Sequence, residues 1–211
     1  MLYRVSKRLL DILIAITIWT VAAPFTFIIA VLIRIGSKGP IFVPGSIRFS
    51  NLKPFYMYKF RTMRLNADKE IFEQYPELKL ILDSNHKIPL DMDPRVTKFG
   101  KILRATDIDE LPQLINVILG NMSLVGPRPY LKWEVEQVLK GDDPIAKDNL
   151  REIQKVKPGV TCLWLISGRN NLKFTQRLEL DALYSRNQNI WLDIKVILKT
   201  PSIIFSGKGR I

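Results

Sequence analysis

The chain carries one cysteine, Cys162, and one histidine, His86, in 211 residues. A single cysteine excludes an internal disulfide framework and a multi-cysteine zinc site. A single histidine argues against a His-based zinc hydrolase and against a Ser–His–Asp triad. Acidic residues are also scarce: 20 Asp and Glu stand against 32 Lys and Arg, a formal net charge of +12. A surplus of that size needs an anionic partner, whether nucleic acid, a phospholipid surface or a phosphorylated substrate. Few aromatic residues interleave with the basic ones, which argues against nucleic acid. There is no Walker A pattern, no Gly-x-Gly-x-x-Gly, no internal repeat and no low-complexity linker. Apolar residues are not lacking. They make up 47% of the chain against 25% charged, which argues against disorder, and the length suits one domain or one domain with an appendage.

The uncharged run Ile12–Ile33 has only Thr17, Thr20 and Thr26 as polar side chains. As a straight helix it would be about 33 Å long, enough to cross a bilayer core. It is too long for a signal-peptide core, and Asp11 and the basic residues after it fit a cleaved signal poorly. Pro24 sits mid-segment, removes a backbone hydrogen bond and predicts a kink. Arg4, Lys7 and Arg8 precede the run, and Arg34 and Lys38 follow it. The positive-inside rule places both flanks in the cytoplasm. On these residues alone, a helix that bends at Pro24 and returns is as well supported as a kinked single span. The chain thus divides into a membrane segment, 1–36, and a cytoplasmic domain, 37–211.

The remainder reads as mainly α with one small β-hairpin, an α+β unit. Ile41–Arg48 and Phe55–Phe60 are the hairpin strands. Asn66–Leu82 is an amphipathic helix interrupted or restarted at Pro76. Thr97–Arg104 and Ile108–Leu119 are helices, the second ended by Gly120-Asn121. Ser123–Pro129 is a turn. Tyr130–Lys140, Phe174–Gln188 and Ile190–Ile204 are helical by pattern. In the last helix Ile190, Trp191, Ile194, Ile197 and Leu198 share a face away from Lys195 and Lys199. That is what an interfacial amphipathic helix looks like, and equally a helix packed on the protein's own core.

Chemistry concentrates in Asp93–Pro129. Asp107, Asp109 and Glu110 cluster at a helix start, and Asp107 with Glu110 forms an Asp-x-x-Glu capping box. Pure capping would explain all three acids, but basic residues on both sides favour a site. Arg95, Lys98, Lys101 and Arg104 precede them. Arg128 follows, locked between Pro127 and Pro129, and a stiff turn aiming a planar guanidinium suits phosphate recognition. A carboxylate at a helix N-terminus among arginines stays ionised, so it can hold a divalent metal or attack phosphorus. The run Lys59-Phe60-Arg61-Thr62-Met63-Arg64 offers a phosphate or headgroup contact against plain solvated charge. Asp91-Met92-Asp93 is a DxD, a short pattern found in metal-dependent glycosyltransferases. His86 reads as a surface residue and Cys162 as a small core residue.

These residues resemble the bacterial sugar transferase family of monotopic phosphoglycosyl transferases. The blocks that carry the resemblance cover nearly the whole chain. They run from Lys7-Arg8-x-x-Asp11 through Ser37–Pro40, Lys59–Met63, Asp93–Thr97, Leu103-Arg104 and Asp109–Leu114. They continue through Asn116-Val117, Met122–Pro129, Lys157–Thr161 and Ser167-Gly168-Arg169. The resemblance implies transfer of a sugar-1-phosphate from a UDP-sugar to undecaprenyl phosphate, with release of UMP. This would be the first membrane step of polysaccharide or glycoconjugate assembly. It implies that Asp109 and Glu110 are the catalytic pair, that Asp109 is the nucleophile of a covalent phosphosugar-aspartate, and that magnesium sits at Asp109. It implies phosphate contacts from Arg104 and Arg128, to which the basic run adds Lys59 and Arg61 as candidates. It also implies a re-entrant helix broken at Pro24, phospholipid contact, and a bacterial inner-membrane location with the catalytic domain on the cytoplasmic face. The chain departs from the family pattern at Ala23-Pro24, often Ser-Pro, at Cys162–Ile166, and near Arg48–Ser50, where a glycine is usual.

Two other readings compete: a metal-dependent glycosyltransferase using Asp91 and Asp93, and a membrane-anchored basic adaptor without catalysis. The sugar, the nucleotide and the oligomeric state are open, a homodimer being compatible with the sequence.

Overall fold

The computed structural model describes residues 2–50, 53–85, 88–207 and 209; His86 lies outside them. Helix α1 (Leu2–Gly36) keeps its helical backbone pattern through Pro24. Among the described residues it is the one helix long and apolar enough to cross a membrane. Its two flanks rest on the same body. Arg8 donates to the carbonyls of Val117 at 2.6 Å and Ile118 at 3.1 Å. Asp11 accepts from Ser123 Oγ at 2.5 Å and from Leu124 N at 3.2 Å. Ala15 is fully buried in the main core. Further along, Ile33 is buried with Phe60 and Leu103. Between these anchors Val21, Phe25, Phe27 and Ile28 are all more than half exposed. The chain lacks a serine before Pro24, but Thr26 Oγ1 donates to the Ala23 carbonyl at 2.7 Å. That is a local back-bond; the carbonyl that Pro24 leaves without its helical donor is that of Thr20, four residues earlier, and the expected break at Pro24 is not an interruption of the helical pattern.

Strands β1 (Ile47–Ser50) and β2 (Lys53–Tyr56) form an antiparallel hairpin. Helices α2 (Ala67–Gln74) and α3 (Pro76–Asn85) follow, separated at Pro76 as the sequence suggests. Then come α4 (Lys98–Ala105), a single 3-10 turn (Ile108–Glu110) and α5 (Gln113–Leu119). Strand β3 (Ser123–Val125) pairs in parallel with β4 (Gly159–Thr161), and α6 (Lys132–Lys140) and α7 (Pro144–Ile153) form the crossover. Helices α8 (Leu163–Ser167), α9 (Phe174–Asn187) and α10 (Ile190–Ser206) complete the domain. The main core gathers Leu114, Val117, Met122, Val125, Tyr184 and Val196. A second cluster packs Tyr130, Val135, Leu150, Leu178 and Ala182 between α6, α7 and α9.

The mainly helical α+β class holds, with corrections. The hairpin is shorter than Ile41–Arg48 with Phe55–Phe60 suggested. Pro44 and Gly45 keep the chain before Ser46 out of it, leaving Phe42 and Phe60 as an isolated bridge. The helix expected over Ile108–Leu119 is two elements. Pro112 has no N–H to continue the turn, so α5 starts after it. The turn expected over Ser123–Pro129 begins as a buried parallel strand. Here Gly126 and Gly159 meet backbone to backbone, and a Cβ on either would collide with the other segment.

In α10 the packed face carries Asp193 and Val196, with Leu192 and Ile197 half-buried against the core. The exposed apolar face is Trp191, Ile194, Leu198 and Phe205. Ile197 therefore belongs to the packed face, not the exposed one. One side of the helix packs on the core, as one of the two readings expects, and the other leaves an apolar stripe exposed.

Candidate active site

The Lys59–Met63 segment organises the site through its backbone. Phe60 N donates to the Asp109 carbonyl at 2.9 Å, and Thr97 N donates to the Thr62 carbonyl at 3.0 Å. Upstream, Asn116 clamps the chain by accepting from Tyr58 N at 2.9 Å and donating to the Tyr56 carbonyl at 2.6 Å. Thr97 caps α4 by accepting from Gly100 N at 2.9 Å. Gly100 has no room for a Cβ against the Thr62 carbonyl, so α4 lies close on this segment. Arg104, one turn further along α4, donates from Nε to Thr62 Oγ1 at 2.8 Å.

The cleft built on this frame has a volume of about 260 Å³. Arg48, Lys59, Arg104, Arg128 and Arg169 line it, facing Asp107, Asp109 and Glu110. Five cations around three carboxylates make it a receptor for a multiply charged anion. Lys59 Nζ stands between the two central acids, 2.9 Å from Asp109 Oδ2 and 3.0 Å from Glu110 Oε1. The contact to Asp109 is an ion contact, and Oδ2 has no hydrogen-bond partner although it is buried. Burial raises the Asp109 carboxyl above its ordinary value; Lys59 pulls the other way and Glu110 adds to the rise. The helix start suggested by the sequence is therefore not what governs Asp109: burial and Lys59 are. Burial acts upward on Glu110 and is the largest single influence, but Lys59, Arg128 and Arg169 together outweigh it and hold Glu110 below the usual carboxylate range. The pair thus has one reluctant and one stable charge, an arrangement typical of functional carboxylates.

The Asp107–Glu110 capping box does not form. Asp107 has a left-handed backbone, φ 56°, and its side chain makes no cap bond. It accepts from Arg169 Nη2 at 2.8 Å instead. Arg169 is also left-handed, φ 52°. Two non-glycine residues in the left-handed region joined across a cleft are a strained pair of the kind found at functional sites. Nε and Nη1 of Arg169 are buried without partners, two donors held ready beside the carboxylates. Neither Arg169 nor Arg48 was assigned a role from the sequence. Arg169 does lie in the Ser-Gly-Arg block, and that was its only signal.

Arg128 is held from three sides. Its backbone N donates to Asp181 Oδ2 at 3.2 Å, which also accepts from Tyr130 Oη at 2.8 Å. Its guanidinium reaches Glu134 Oε1 at 3.4 Å and lies 5.3 Å from the Trp164 ring centroid. Glu134 is fixed in turn by Arg177 at 2.6 Å. Burial pushes Asp181 up to about 7. Asp181, Glu134 and Arg177 position the Pro-Arg-Pro turn; Asp181 and Arg177 are remote in the chain, and Glu134, though six residues from Arg128, bears no pattern that marks it. Arg128→Lys keeps the charge but loses the fork and the flat stacking face. The expected result is about a tenfold to hundredfold loss in kcat/KM, the value of one or two charge-assisted hydrogen bonds, with an unchanged melting temperature. Near-full activity in steady-state assays of Arg128→Lys would reduce the residue to general positive potential.

Arg61 is not in the cleft. Its guanidinium donates to the carbonyls of Ser37 (2.8 Å), Lys38 (2.8 Å) and Pro40 (2.6 Å). It is a buried cap on the chain leaving α1, which corrects the reading of Arg61 as a phosphate contact. The DxD does not form a metal pair either. Asp93 is buried and chelated by Arg95, with Nε at 2.8 Å and Nη2 at 2.8 Å, and neither Asp91 nor Asp93 lines the cleft. Cys162 is buried, as a core residue should be. It reaches the wall of the cleft, where burial raises its thiol and so disfavours the thiolate that a nucleophile needs.

A groove of about 600 Å³ adjoins the cleft. Ile14 and Ile18 of α1, Leu111 and Leu114 of α5, and Ile197, Ile204 and Phe205 of α10 line it. Asp107, Glu110, Val160 and Leu165 border both cavities. A charged cleft thus opens directly into an apolar channel along the two helices with exposed apolar faces.

Fold and site together define a body with one long, apolar, largely exposed helix and a cleft that sets five cations around three carboxylates. The chain belongs to the bacterial sugar transferase family, whose model matches residues 2–207. It is 37% identical over 208 residues to the exopolysaccharide production protein ExoY of Sinorhizobium fredii, covering 97% of this chain and 88% of that protein. It is 35% identical over 210 residues to the undecaprenyl-phosphate galactose phosphotransferase of Salmonella typhimurium, covering 98% of this chain and 42% of that protein. It is 34% identical over 209 residues to the UDP-glucose:undecaprenyl-phosphate glucose-1-phosphate transferase of Escherichia coli, covering 97% and 40%. The chain therefore spans about two fifths of the length of the latter two relatives.

Proposed function

We propose that the chain transfers a sugar-1-phosphate from a UDP-sugar to undecaprenyl phosphate, releasing UMP, and so begins assembly of a bacterial envelope polysaccharide. The observation that carries this is the junction of the two cavities at Asp107 and Glu110. An acceptor with a phosphate head and a polyprenyl tail matches a cationic cleft that continues into an apolar groove. A soluble acceptor would leave the groove without an occupant. The DxD glycosyltransferase is disfavoured because Arg95 occupies Asp93.

The reaction proceeds in two displacements. An Asp109 carboxylate oxygen attacks the phosphorus that bears the sugar, and the bond to the UMP oxygen breaks, leaving a phosphosugar joined to Asp109 as an acyl phosphate. A phosphate oxygen of undecaprenyl phosphate then attacks the same phosphorus, and the Asp109 carboxylate leaves. Arg104, Arg128 and Arg169 bind and orient the diphosphate, and Lys59 holds the two carboxylates in register. The residues fit a magnesium ion. Buried Asp109 Oδ2 accepts no hydrogen bond and has only its ion contact with Lys59, and Glu110 stands beside it. Magnesium commonly uses one or two carboxylates and completes its shell with phosphates and water. When bound it would neutralise diphosphate charge.

The test is a screen of UDP-sugars with undecaprenyl phosphate in detergent. UMP and a lipid diphosphate-sugar are the expected products; UDP with a lipid glycoside would mean the sugar moves without its phosphate.

The catalytic body lies on the cytoplasmic face of the inner membrane in this reading, with α1 re-entrant. Support comes from anchors on both flanks of α1 in one body, Arg8 and Asp11 before Pro24 and Ile33 after it. Ser6→Cys and Lys38→Cys, each in a Cys162→Ser background, should react with an impermeant thiol reagent from the same side. Labelling from opposite sides would restore a single span.

A further inference from the structure

The faces of α1 and α10 that wall the apolar groove are also the faces by which the two helices are tied together. At about 100° per residue, Tyr3, Lys7, Asp11, Ile14 and Ile18 fall within about 80° of one another around α1. Asp193, Ile197, Thr200 and Ile204 fall within about 60° around α10. The first members of each stripe meet: Tyr3 Oη donates to Asp193 Oδ2 at 3.0 Å, and Lys7 Nζ donates to the same oxygen at 2.9 Å. The later members, Ile14 and Ile18 against Ile197, Thr200 and Ile204, line the groove. Ile18 stands 11 residues past Lys7, and Ile204 stands 11 residues past Asp193. Each has travelled about 16 Å along its helix, roughly three turns. The two helices leave one joint in the same direction, and the groove opens between them.

Asp193 is the centre of that joint and is 3% exposed. On its other side Tyr184 of α9 reaches Asp193 Oδ1 at 2.6 Å and the Val125 carbonyl of β3 at 3.0 Å. Burial and the Asp193 charge push the Tyr184 hydroxyl far above its ordinary value, so it stays a donor. One carboxylate on α10 therefore takes donors from the start of α1 and from α9.

An apolar contact could have closed this corner. Burying a carboxylate with an ammonium brings little net stability, because desolvation offsets their attraction. What the bonds supply is register. Apolar surfaces slide over one another, whereas hydrogen bonds fix an angle and a distance. The register fixed here is that of the two helices whose next turns are the groove walls. A second polar tie, Thr161 Oγ1 with Thr200 Oγ1 at 2.6 Å, holds the same stripe of α10 to β4 within the groove. Asp193 itself lines neither the groove nor the cleft, so it touches no reacting atom.

We infer that Asp193 is a positioning residue for the lipid acceptor: through Tyr3 and Lys7 it fixes the spacing of α1 and α10, and so the fit of the groove to a polyprenyl tail. It acts on acceptor binding and leaves the UDP-sugar end of the site untouched. The inference rests on the reading of the groove as the place of the acceptor's tail.

The test is steady-state kinetics of the full chain at fixed detergent, varying undecaprenyl phosphate and UDP-sugar in turn, with geranyl phosphate as a short-tailed acceptor. Asp193→Asn keeps the shape of the side chain and loses its charge. Its KM for undecaprenyl phosphate should rise about tenfold, the scale of one or two hydrogen bonds, with kcat kept. Its kcat/KM for UDP-sugar should stay within about twofold, because the first displacement does not use the groove. The preference for undecaprenyl over geranyl phosphate should shrink with the rise in KM. The sign separates the joint from general electrostatics. Asp193→Asn makes the chain more basic, and added positive charge alone would lower the KM for an anionic lipid. Tyr3→Phe removes one donor and no charge, and should raise the same KM about threefold. It carries the test if Asp193→Asn does not fold. An unchanged or lower KM for undecaprenyl phosphate in the folded variant overturns the inference, and so do KM values that rise together for both substrates. A wild-type chain that uses geranyl phosphate as well as undecaprenyl phosphate would remove the groove from acceptor recognition, and the inference with it, while the transfer reaction stands. No transfer to either acceptor would overturn the proposed function too.

Discussion

Asp109→Asn is expected to lower turnover by at least about 10⁴-fold, the range seen when a covalent nucleophile is removed from a site that otherwise stays intact. Asparagine has nearly the shape of aspartate, so the 3-10 turn, the Phe60–Asp109 backbone bond and the cleft are retained. On the proposed mechanism, what goes is the carboxylate charge needed to form the acyl-phosphate bond. The thermal behaviour has a definite sign. Burial raises the folded-state pKa of Asp109, so its contribution to stability grows as pH falls through that pKa and is unfavourable above it. Removing the charge at neutral pH should leave the melting temperature equal or higher, whereas a structural carboxylate would show a drop. The covalent step has its own signature. Wild-type protein given UDP-sugar and magnesium without lipid should release UMP in amounts no greater than the protein and gain the mass of a phosphosugar at Asp109. UMP that appears only with polyprenyl phosphate, with no adduct trapped, would make transfer direct and Asp109 a metal ligand or base.

The sequence made some of this legible and hid the rest for physical reasons. Asp109, Glu110, Arg104, Arg128 and Lys59 could be named because local signals carry them: a helix-start acid cluster, a proline-locked arginine and a basic run. The structure gathers all five in one cleft. Arg61 misled for the same reason. A basic run reads as uniform surface charge, and strict alternation would even put Lys59 and Arg61 on one face, but this segment is irregular backbone with isolated bridges at Phe60 and Met63, which lets the two diverge. Lys59 faces the carboxylates, while Arg61 is buried in the carbonyls after α1. Arg48 and Arg169 reach the cleft only because the hairpin and the turn after α8 close over it, a pairing with no local mark. The β3–β4 pair was missed because three residues are too short for an alternating pattern to register. Asp107 and Glu110 have the spacing of a capping box, but the tertiary partner Arg169 takes Asp107 out of it. The apolar groove is a joint product of α1, α5 and α10, and each contributes residues whose sequence pattern said only that they were apolar.

Lys59→Met is expected to lower turnover about 10²-fold at neutral pH and to move the acid limb of the pH–rate profile to higher pH. Methionine keeps the unbranched stem and fills the same space, so the change is chiefly one of charge. Lys59 is the strongest influence opposing burial at Asp109, and it holds Glu110 ionised. Without it, two carboxylates face each other in a partly desolvated cleft, and like charges so placed cannot both ionise at their former pKa values. The nucleophile then ionises later as pH rises, so the variant should recover part of its deficit on the alkaline side. Lys59→Arg should restore the position of the acid limb, because a cation is again present, while recovering only part of the rate, because the forked group cannot sit between Asp109 Oδ2 and Glu110 Oε1 as a compact ammonium does. Profiles from about pH 5 to about pH 9 for the three proteins decide it. A uniform loss at every pH, with the limb unmoved, would assign Lys59 to substrate phosphate binding and leave the ionisation of Asp109 to Arg104 and the metal.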